Sequence, residues 1–185
     1  MRIVAGRFKG RRLSAPKGMR TRPTTGKVRE ALFNLLGPVD GFRVADLFAG
    51  SGGLGLEALS RGAAELVAVD RSAGALAAIR TNLRTLGLGR EARTVRRDLS
   101  RGFSFLNDPG LFDLILADPP YGRQWFERLI RQLPPQALAR SGRLVVETAL
   151  GEGPAGGESV GAPWVVRTRR KYGQTEIFIL EPEAT

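Results

Sequence analysis

The tetrapeptide Asp118-Pro119-Pro120-Tyr121, which follows an apolar run, has the groups needed to hold an amine. Its two prolines fix the backbone and carry no amide N–H, so the stretch offers hydrogen-bond acceptors: the Asp118 carboxylate and the Pro119 carbonyl. Such acceptors bind both N–H bonds of an exocyclic amine, while the Tyr121 ring stacks on the planar group that carries the amine. The tetrapeptide is therefore predicted to aim an amine nitrogen at an electrophile.

A glycine-rich segment, Asp46–Gly55 with the sequence DLFAGSGGLG, is expected to join a strand to a helix. Its Gly50, Gly52 and Gly55 follow the spacing G-x-G-x-x-G, which allows a sharp turn and lets a ligand approach a helix N-terminus. Asp70 ends the next expected strand, where a carboxylate can accept both hydroxyls of an adenosine ribose. On its own, this spacing fits a nicotinamide dinucleotide as well as other adenosine ligands.

Two further carboxylates favour a cationic adenosine ligand. Asp46 precedes the glycines, where it would repel a pyrophosphate and attract an ammonium or sulfonium group. Asp98 follows the third expected strand, at a place suited to an adenine amino group. S-adenosylmethionine carries both cations and no phosphate, and is the expected cofactor. A dehydrogenase would also need a proton donor, and neither Tyr121 nor Tyr172 is followed by the Y-x-x-x-K pattern of short-chain dehydrogenases.

The chain of 185 residues contains no cysteine and no histidine. This composition excludes disulfides, iron–sulfur clusters, thiolate zinc sites, histidine triads and imidazole bases. It also excludes C5-cytosine chemistry of the kind that uses a cysteine nucleophile, and no metal is expected. Methyl transfer to an amine suits the composition, because proximity and orientation supply much of the rate and the developing cation is itself acidic.

Positive charge is concentrated at the start of the chain. The net charge is +11, and residues 1–40 hold ten basic and two acidic residues. Most of the cations are arginine, whose planar fork suits phosphates and bases, so a nucleic-acid partner is expected. We expect the basic segment 2–29 to grip phosphates beside a base that is flipped out or single-stranded. The cations expected to do so are Arg7, Lys9, Arg11 and Arg12.

The same segment has a plainer interpretation as a solvated basic face. Phe8 is expected to pack the segment against the rest of the fold rather than to stack on a base. MRIVAGRFKGRRL lacks the apolar stretch of a secretory signal, and no run of 18 apolar residues occurs. A cytoplasmic protein without membrane contact is therefore expected.

Alternating strands and helices must carry these residues, and hydrophobic periodicity predicts them. Residues 2–14 are expected to form a small basic hairpin, and Thr24 or Thr25 to cap a helix that Gly37-Pro38 ends. The expected strands are Arg43–Phe48, Leu66–Asp70, Arg93–Arg97, Phe112–Ala117 and Arg143–Glu147, with helices at Gly53–Arg61, from Ser72 to Gly87, and from Trp125 to Leu133. A terminal hairpin of Trp164–Lys171 and Thr175–Leu180 follows. The prediction is an α/β fold with a doubly wound, mostly parallel seven-stranded sheet.

The pairing of DLFAGSGGLG with DPPY resembles the class I methyltransferases that modify exocyclic amines of nucleic-acid bases, in which [D/N]-P-P-[Y/F/W] binds the amine. Nearly the whole chain is similar to the RsmD family of bacterial 16S rRNA guanine-N2 methyltransferases. This similarity includes MRIVAGRFKGRRL, RPTTGKVREALFNLL and KYGQTEIFIL. The long Gly- and Pro-rich loop at 151–163 departs from the family pattern. The resemblance implies a basic N-terminal extension at residues 1–40 and a Rossmann-like methyltransferase domain at 41–185.

The resemblance also implies a role for each matching residue. Residues expected to bind S-adenosylmethionine are Asp46, Phe48, Gly50, Ser51 and Gly52 for the methionine part, Asp70 and Arg71 for the ribose, and Asp98 and Leu99 for the adenine. The target guanine is expected at Asp118, Pro119 and Tyr121, and the RNA side of the cleft at Arg22, Pro23, Thr24 and Arg29. We expect a monomer acting on 16S rRNA within a small-subunit particle.

Two other functions stay open at this stage. The DPPY tetrapeptide suits the amines of guanine and adenine alike, so an adenine-N6 methyltransferase acting on DNA or RNA is the first alternative. A nucleic-acid-binding protein without catalysis is the second. The presence of both Asp70 and Asp118 counts against that second alternative.

Overall fold

The chain folds into two units, Met1–Asp98 and Leu99–Thr185. The computed structural model describes residues 1–16, 25–107, 112–122, 124–154 and 160–183. Each unit has its own strands and its own helices, and each carries part of the expected site.

The first unit contains three parallel strands in the order β3-β2-β1. They are β1 (Arg43–Leu47), β2 (Glu65–Asp70) and β3 (Ala92–Arg96). Leu47 lies opposite Val69, and Asp70 lies opposite Arg96. The carboxyl ends of all three strands therefore share one edge, and this is where ligands bind in open α/β sheets.

Three helices complete the first unit: α1 (Gly26–Leu36), α2 (Gly53–Ser60) and α3 (Ala73–Leu86). Ser72 caps α3 by accepting the Ala75 N–H at 3.2 Å, and Gly87 ends the helix with a φ of 72°. The buried stripe of α3 is the predicted one, formed by Leu76, Ile79, Leu83 and Leu86. Of the two threonines considered for the cap of α1, Thr25 accepts the Val28 N–H at 3.3 Å, whereas Thr24 lies outside the described residues.

The N-terminal segment forms only part of the predicted hairpin, with backbone hydrogen bonds from Ile3 to Arg11 and from Leu13 to Met1, both at 3.0 Å. Arg2 and Arg12 form one isolated antiparallel bridge. The reason lies in the intervening amides, because the N–H groups of Val4 and Ala5 bind the Glu57 carboxylate at 2.8 and 2.9 Å instead of a partner strand. Satisfied in this way, those amides need no strand ladder.

The second unit contains four strands in the order β4-β5-β7-β6. They are β4 (Phe112–Ala117), β5 (Leu138–Ala149), β6 (Trp164–Tyr172) and β7 (Thr175–Pro182). The first two run parallel, while β7 is antiparallel to both β5 and β6. The described residues contain seven strands, as predicted. The prediction of a mostly parallel sheet was wrong for the second unit. The tight turn after Tyr172 forces its two strands to run antiparallel, and the arrangement is mixed.

Helix α4 (Trp125–Gln132) packs its apolar stripe within the second unit. Phe126 lies against Phe178 of β7, with ring centroids 4.8 Å apart. The indole N–H of Trp164 donates to the Ile130 carbonyl at 3.0 Å. Short 3₁₀ helices occur at Leu99–Arg101, Ser104–Asn107 and Pro135–Ala137.

Strand β5 begins five residues earlier than its hydrophobic pattern indicates, since Arg140 and Ser141 interrupt the apolar run. Gly142 sits at this interruption, where a Cβ would lie 2.8 Å from the Phe112 carbonyl oxygen. The division of the chain at residue 40 stays a prediction. Within the described residues, no helix combines the length and apolar character required to cross a bilayer.

Candidate functional site

The loop that joins β1 to α2 has an unusual backbone. Phe48, Gly50 and Gly52 have φ values of 62°, 54° and 83°, so three of five consecutive residues are left-handed. Glycine adopts this conformation at little cost, but a phenylalanine pays roughly 1 kcal/mol or more, and such outliers concentrate at ligand sites. The strained backbone at Phe48 is thus a second feature, independent of the glycine spacing, that is typical of ligand-binding loops.

Asp70, at the end of β2, holds this loop in place. One carboxylate oxygen accepts the Gly50 N–H at 2.8 Å, and the other accepts the Ser72 N–H at 2.7 Å. The Ala49 N–H reaches the Val69 carbonyl at 2.9 Å, which adds a second tie between the loop and β2. Each carboxylate oxygen has a further lone pair, and Asp70 is only half-buried. The side chain can thus accept ribose hydroxyls while it stays bound to the loop.

Asp46 lies beneath the same loop, with 1% of its surface exposed. Its carboxylate accepts the Gly55 N–H, near the start of α2, at 2.9 Å. A Cβ on Gly55 would lie 2.7 Å from Leu66 and 2.9 Å from the Asp46 carboxylate, so only glycine permits this approach. Asp46 is therefore placed to shape the loop and to add negative charge under it.

The donor set of this loop fits S-adenosylmethionine. Residues 46–52 include no lysine or arginine, and both carboxylates, Asp46 and Asp70, face the loop backbone. A pyrophosphate would meet repulsion here, whereas an ammonium or sulfonium would meet attraction. The residues present thus match a cationic adenosine ligand, and we find no conflict with the expected cofactor.

The remaining residues expected around the cofactor are spread over both units. Ser51 lies within the loop, and its carbonyl accepts the Asn82 amide N–H at 3.4 Å. Arg71 is exposed, and its carbonyl accepts the Arg96 Nε–H at 3.2 Å. Asp98 is exposed at the end of the first unit, while Leu99 is buried in the second. The structure joins Asp70 to Gly50 and Asp46 to Gly55 by hydrogen bonds, so both carboxylates bind the backbone of the segment between β1 and α2.

The tetrapeptide Asp118-Pro119-Pro120-Tyr121, which is predicted to bind an amine, follows β4 in the second unit. Pro119 is buried, Asp118 is half-buried, and Tyr121 exposes 46% of its surface. Burial of the remainder raises the pKa of the Tyr121 phenol despite an opposing hydrogen bond with Thr175, and the Glu147, Asp118 and Glu152 charges raise it further. The phenol is therefore neutral at physiological pH, and its exposed ring offers a face for stacking.

Two contacts at this tetrapeptide were not anticipated from the sequence. Glu152 accepts the Gly122 N–H through one carboxylate oxygen, and Thr175 bonds the Tyr121 phenol. Glu152 stands in the Gly- and Pro-rich loop, where one acid among glycines has no periodic signal. Only the strand pairing of β5 with β7 brings Thr175, 54 residues further along the chain than Tyr121, near that ring.

The basic N-terminal segment presents its cations to solvent. Arg7, Lys9, Arg11 and Arg12 are all exposed. The Arg7 guanidinium lies 4.8 Å from the centre of the Phe8 ring. Phe8 is half-buried, and its N–H donates to the Ser60 hydroxyl at 3.0 Å, which agrees with a packing role. Arg22, Pro23 and Thr24 lie outside the described residues.

Arg29 needs a correction, because its side chain is not on the surface. It is 2% exposed, it donates to the Arg2 carbonyl at 2.6 Å, and it lies 3.9 Å from the Glu57 carboxylate. Glu57 is fully buried and also pairs with Arg61 at 2.9 Å. A guanidinium engaged in this way fastens the N-terminal segment to α2 and cannot line an RNA surface without leaving its partners.

Comparisons with known proteins agree with this arrangement. The family model described as Conserved hypothetical protein 95 matches residues 1–181. Ribosomal RNA small subunit methyltransferase D of Escherichia coli (strain K12) is 36% identical over 187 residues, covering 100% of this chain and 91% of the relative. The YlbH protein of Bacillus subtilis (strain 168) is 44% identical over 151 residues, covering 80% of this chain and 82% of YlbH.

A solved structure supports the same grouping. The yhhF protein of Escherichia coli superposes with a TM-score of 0.84 at 36% identity, covering 100% of this chain and 99% of the other. The mixed, seven-stranded α/β arrangement is accordingly the class I, Rossmann-like methyltransferase fold. The chain belongs to the RsmD family of S-adenosylmethionine-dependent methyltransferases.

Proposed function

We propose that this protein transfers a methyl group from S-adenosylmethionine to the exocyclic N2 amine of a guanine in small-subunit (16S) rRNA. Family membership supports rRNA methylation, since the Escherichia coli relative is named for it over the full length of this chain. The observation that carries the proposal is the tetrapeptide Asp118-Pro119-Pro120-Tyr121 at the end of β4, in which a carboxylate and two prolines without amide N–H groups leave mainly hydrogen-bond acceptors. Resemblance to the guanine-N2 family supports guanine rather than adenine as the base.

The first unit would hold the cofactor. Asp70 would accept the ribose hydroxyls with its remaining lone pairs, and the loop at 48–52 would lie along the methionine part. The buried Asp46 would attract the cationic groups through its charge. Arg71, Asp98 and Leu99 would complete the ribose and adenine contacts. The bound cofactor supplies an electrophilic methyl group on a sulfonium.

The second unit would hold the base. The Asp118 carboxylate and the Pro119 carbonyl would accept the two N–H bonds of the guanine amine, so that the nitrogen lone pair points at the methyl group. Tyr121 would stack on the ring, a contact worth roughly 1–3 kcal/mol. Orientation then lowers the barrier without a general base of unusual pKa, and the proton leaves the methylated nitrogen because the developing cation is acidic.

The guanine must leave its helix or already be unpaired, since its amine cannot reach a buried cofactor from within a stack. The exposed Arg7, Lys9, Arg11 and Arg12 would bind phosphates next to it. Arg22, Pro23 and Thr24 are proposed for the same surface on the strength of the resemblance. We further propose that the protein acts as a cytoplasmic monomer on a small-subunit particle.

The decisive experiment compares wild type with Asp118→Ala. The variant is expected to lose methyl transfer by a factor of at least about 10³, because both the position and the lone-pair direction of the amine are lost. Its dissociation constant for S-adenosylmethionine is expected to stay within about twofold, since the first unit is unchanged. Calorimetry measures the binding, and transfer of labelled methyl groups to 16S rRNA measures the activity.

Asp113→Asn, on the same strand β4, serves as the matched control and is expected to keep wild-type turnover. Mass spectrometry of digested product identifies the nucleoside. N2-methylguanosine supports the proposal, whereas N6-methyladenosine would move it to the adenine alternative. Wild-type turnover by Asp118→Ala would remove the amine-binding role, and failure of the wild type to bind S-adenosylmethionine would favour a non-catalytic nucleic-acid-binding protein.

A further inference from the structure

The carboxylate of Glu152 is held at both oxygens. One accepts the N–H of Gly122, the residue directly after Tyr121, and the other accepts the Ala149 N–H at 3.4 Å. The Glu152 N–H in turn donates to the Ala149 carbonyl at 3.1 Å. This side chain therefore joins the end of β5 to the end of the amine-binding tetrapeptide.

The turn that carries Glu152 is fastened to the C-terminal hairpin. The Gly151 N–H donates to the Glu176 carboxylate at 3.0 Å, and the Leu150 N–H donates to the Gln174 carbonyl at 2.9 Å. Glu176 is fully buried and is fixed by Arg169 at 2.8 Å. These hydrogen bonds fix the position of the turn that carries Glu152. The contact of Glu152 with Gly122 in turn fixes the backbone at Gly122.

Tyr121 needs such support. The residue exposes 46% of its surface, so packing alone does not fix the orientation of its ring. Gly122 has a φ of 76°, a conformation from which glycine moves easily unless its N–H is held. Thr175 restrains the phenol oxygen from the hairpin side, and Glu152 restrains the backbone from the other end of the residue.

We propose that Glu152 is a positioning residue, which fixes the backbone at Gly122 so that the Tyr121 ring is held in the plane that stacks on the target base. This inference rests on the proposed base-stacking role of Tyr121. A misplacement of about 1 Å at a reacting centre lowers rate by about 10²-fold, so a hydrogen bond remote from the methyl group affects turnover. The carboxylate supplies a charge-assisted acceptor, which is stronger than a neutral one.

The test compares Glu152→Ala with Glu152→Gln in the full-length protein. Glu152→Ala is expected to lower kcat about 10- to 100-fold, with the dissociation constant for S-adenosylmethionine and the melting temperature close to wild type. Glu152→Gln keeps an acceptor oxygen for Gly122 and is expected to recover kcat to within about threefold of wild type. Glu181→Ala is the control, because Glu181 pairs with Arg167 at 2.8 Å further from the hairpin turn.

A spectroscopic measurement tests, without turnover, whether the Glu152 charge acts on the Tyr121 phenol. The chain has two tyrosines, so Tyr172→Phe leaves Tyr121 as the single titrating phenol. In that background Glu152→Gln is expected to lower the pKa of Tyr121, because the Glu152 charge contributes to raising it, and Glu181→Gln is expected to leave it unchanged.

The outcomes separate the two proposals. Wild-type kcat in Glu152→Ala overturns the positioning role, and so does an equal loss in the Ala and Gln variants accompanied by a large fall in melting temperature. If the wild type instead forms N6-methyladenosine, the guanine proposal fails, while the Ala and Gln comparison still decides the role of Glu152.

Discussion

The Asp70 carboxylate accepts the backbone N–H of Gly50 at 2.8 Å. The acid that ends β2 therefore holds the first glycine of the loop in place. The two residues are 20 positions apart in sequence. Parallel pairing of β1 with β2 brings them to the same sheet edge. The carboxylate thereby shapes the loop and remains open to a ligand hydroxyl, so one substitution should disturb both functions.

Asp70→Ala is expected to weaken S-adenosylmethionine binding at least about tenfold, since it removes a charged acceptor for hydroxyls and releases the Gly50 N–H, each worth about 1 kcal/mol or more. Asp70→Asn is expected to bind S-adenosylmethionine nearly as weakly as Asp70→Ala. Its amide NH2 group cannot accept a hydrogen bond and would face the N–H of either Gly50 or Ser72. Isothermal calorimetry measures both dissociation constants.

Glu65→Gln is a suitable control for this experiment, since Glu65 lies at the opposite end of β2 and is 61% exposed in its pair with Arg43. Its dissociation constant should match that of wild type. An unchanged constant in Asp70→Ala would remove Asp70 from the ribose contact.

Tyr121 is expected to act through its ring and not through its proton. Burial, with the help of nearby carboxylates, raises the phenol pKa above its ordinary value of 10.0, so the group stays neutral throughout the pH range 7 to 9. Tyr121→Phe should therefore keep kcat/KM within about threefold and leave its pH profile unchanged over that range. Tyr121→Ala should lose about 10- to 100-fold, the equivalent of roughly 1–3 kcal/mol of stacking.

Steady-state kinetics at several pH values distinguish these cases. Equal losses in the Phe and Ala variants would show that the hydroxyl is required, either in the reaction or through its hydrogen bond with Thr175. A preserved Phe variant with a weakened Ala variant supports stacking as the contribution of this residue.

Local patterns predicted the elements well, and long-range contacts account for what they missed. The stripe of α3 and its glycine end follow from spacing alone, because a helix buries residues three and four apart. The burial of Arg29 has no local signal, since its partner Glu57 lies 28 residues away on another helix. The short extent of the N-terminal pairing has the same cause, because Glu57 accepts the Val4 and Ala5 amides that a longer strand would use.

The residues of the candidate site divide in the same way, into those that local patterns predicted and those that depend on long-range contacts. Asp70, Gly50 and the DPPY tetrapeptide are adjacent to strand ends and could be recognised from the alternation of elements. Glu152 and Thr175 act only through the pairing of β5 with β7 and the turn fastened to it. A glutamate in a Gly-rich loop has no periodicity that would distinguish it from a solvated residue.

The buried carboxylate of Glu176 predicts an acid-dependent stability. Burial alone would raise its pKa, but the Gly151 N–H and Arg169, together with the charge of Lys171, lower it below the ordinary value of 4.5. The unfolded chain therefore binds the proton more readily, so this contribution is present above pH 4.5 and is lost as the pH falls through the folded-state pKa. Glu176→Gln should lower the free energy of unfolding by about 2 to 3 kcal/mol at pH 7.

Urea unfolding at pH 7 and at several values below pH 4.5 tests this directly. The difference between wild type and Glu176→Gln should shrink as the pH falls. Glu181→Gln, whose pair with Arg167 is exposed, should cost about 0–1 kcal/mol. A difference between wild type and Glu176→Gln that stays constant with pH would contradict the linkage.

The salt dependence of RNA binding separates exposed from buried arginines. Arg11 and Arg12 are exposed, and each phosphate contact adds about 0.7 to 0.9 to the slope of log affinity against log salt. Replacing both with alanine should therefore reduce the slope by about 1.4 to 1.8 and weaken binding at low salt. The control replaces Arg80 and Arg84, which are exposed on α3, with alanine and so removes the same amount of positive charge. It should reduce the salt slope less.

Arg29→Gln is expected to behave in the opposite way when the salt dependence of RNA binding is measured. Its guanidinium is buried against Glu57 and the Arg2 carbonyl. The substitution should therefore lower the melting temperature of the protein. The salt dependence of RNA binding by the folded protein should stay unchanged. Loss of one partner in a buried pair costs about 3 to 5 kcal/mol, enough to detect by calorimetry. A slope reduced as in the Arg11 and Arg12 double variant, at unchanged melting temperature, would return Arg29 to the RNA surface and contradict the packing described for it.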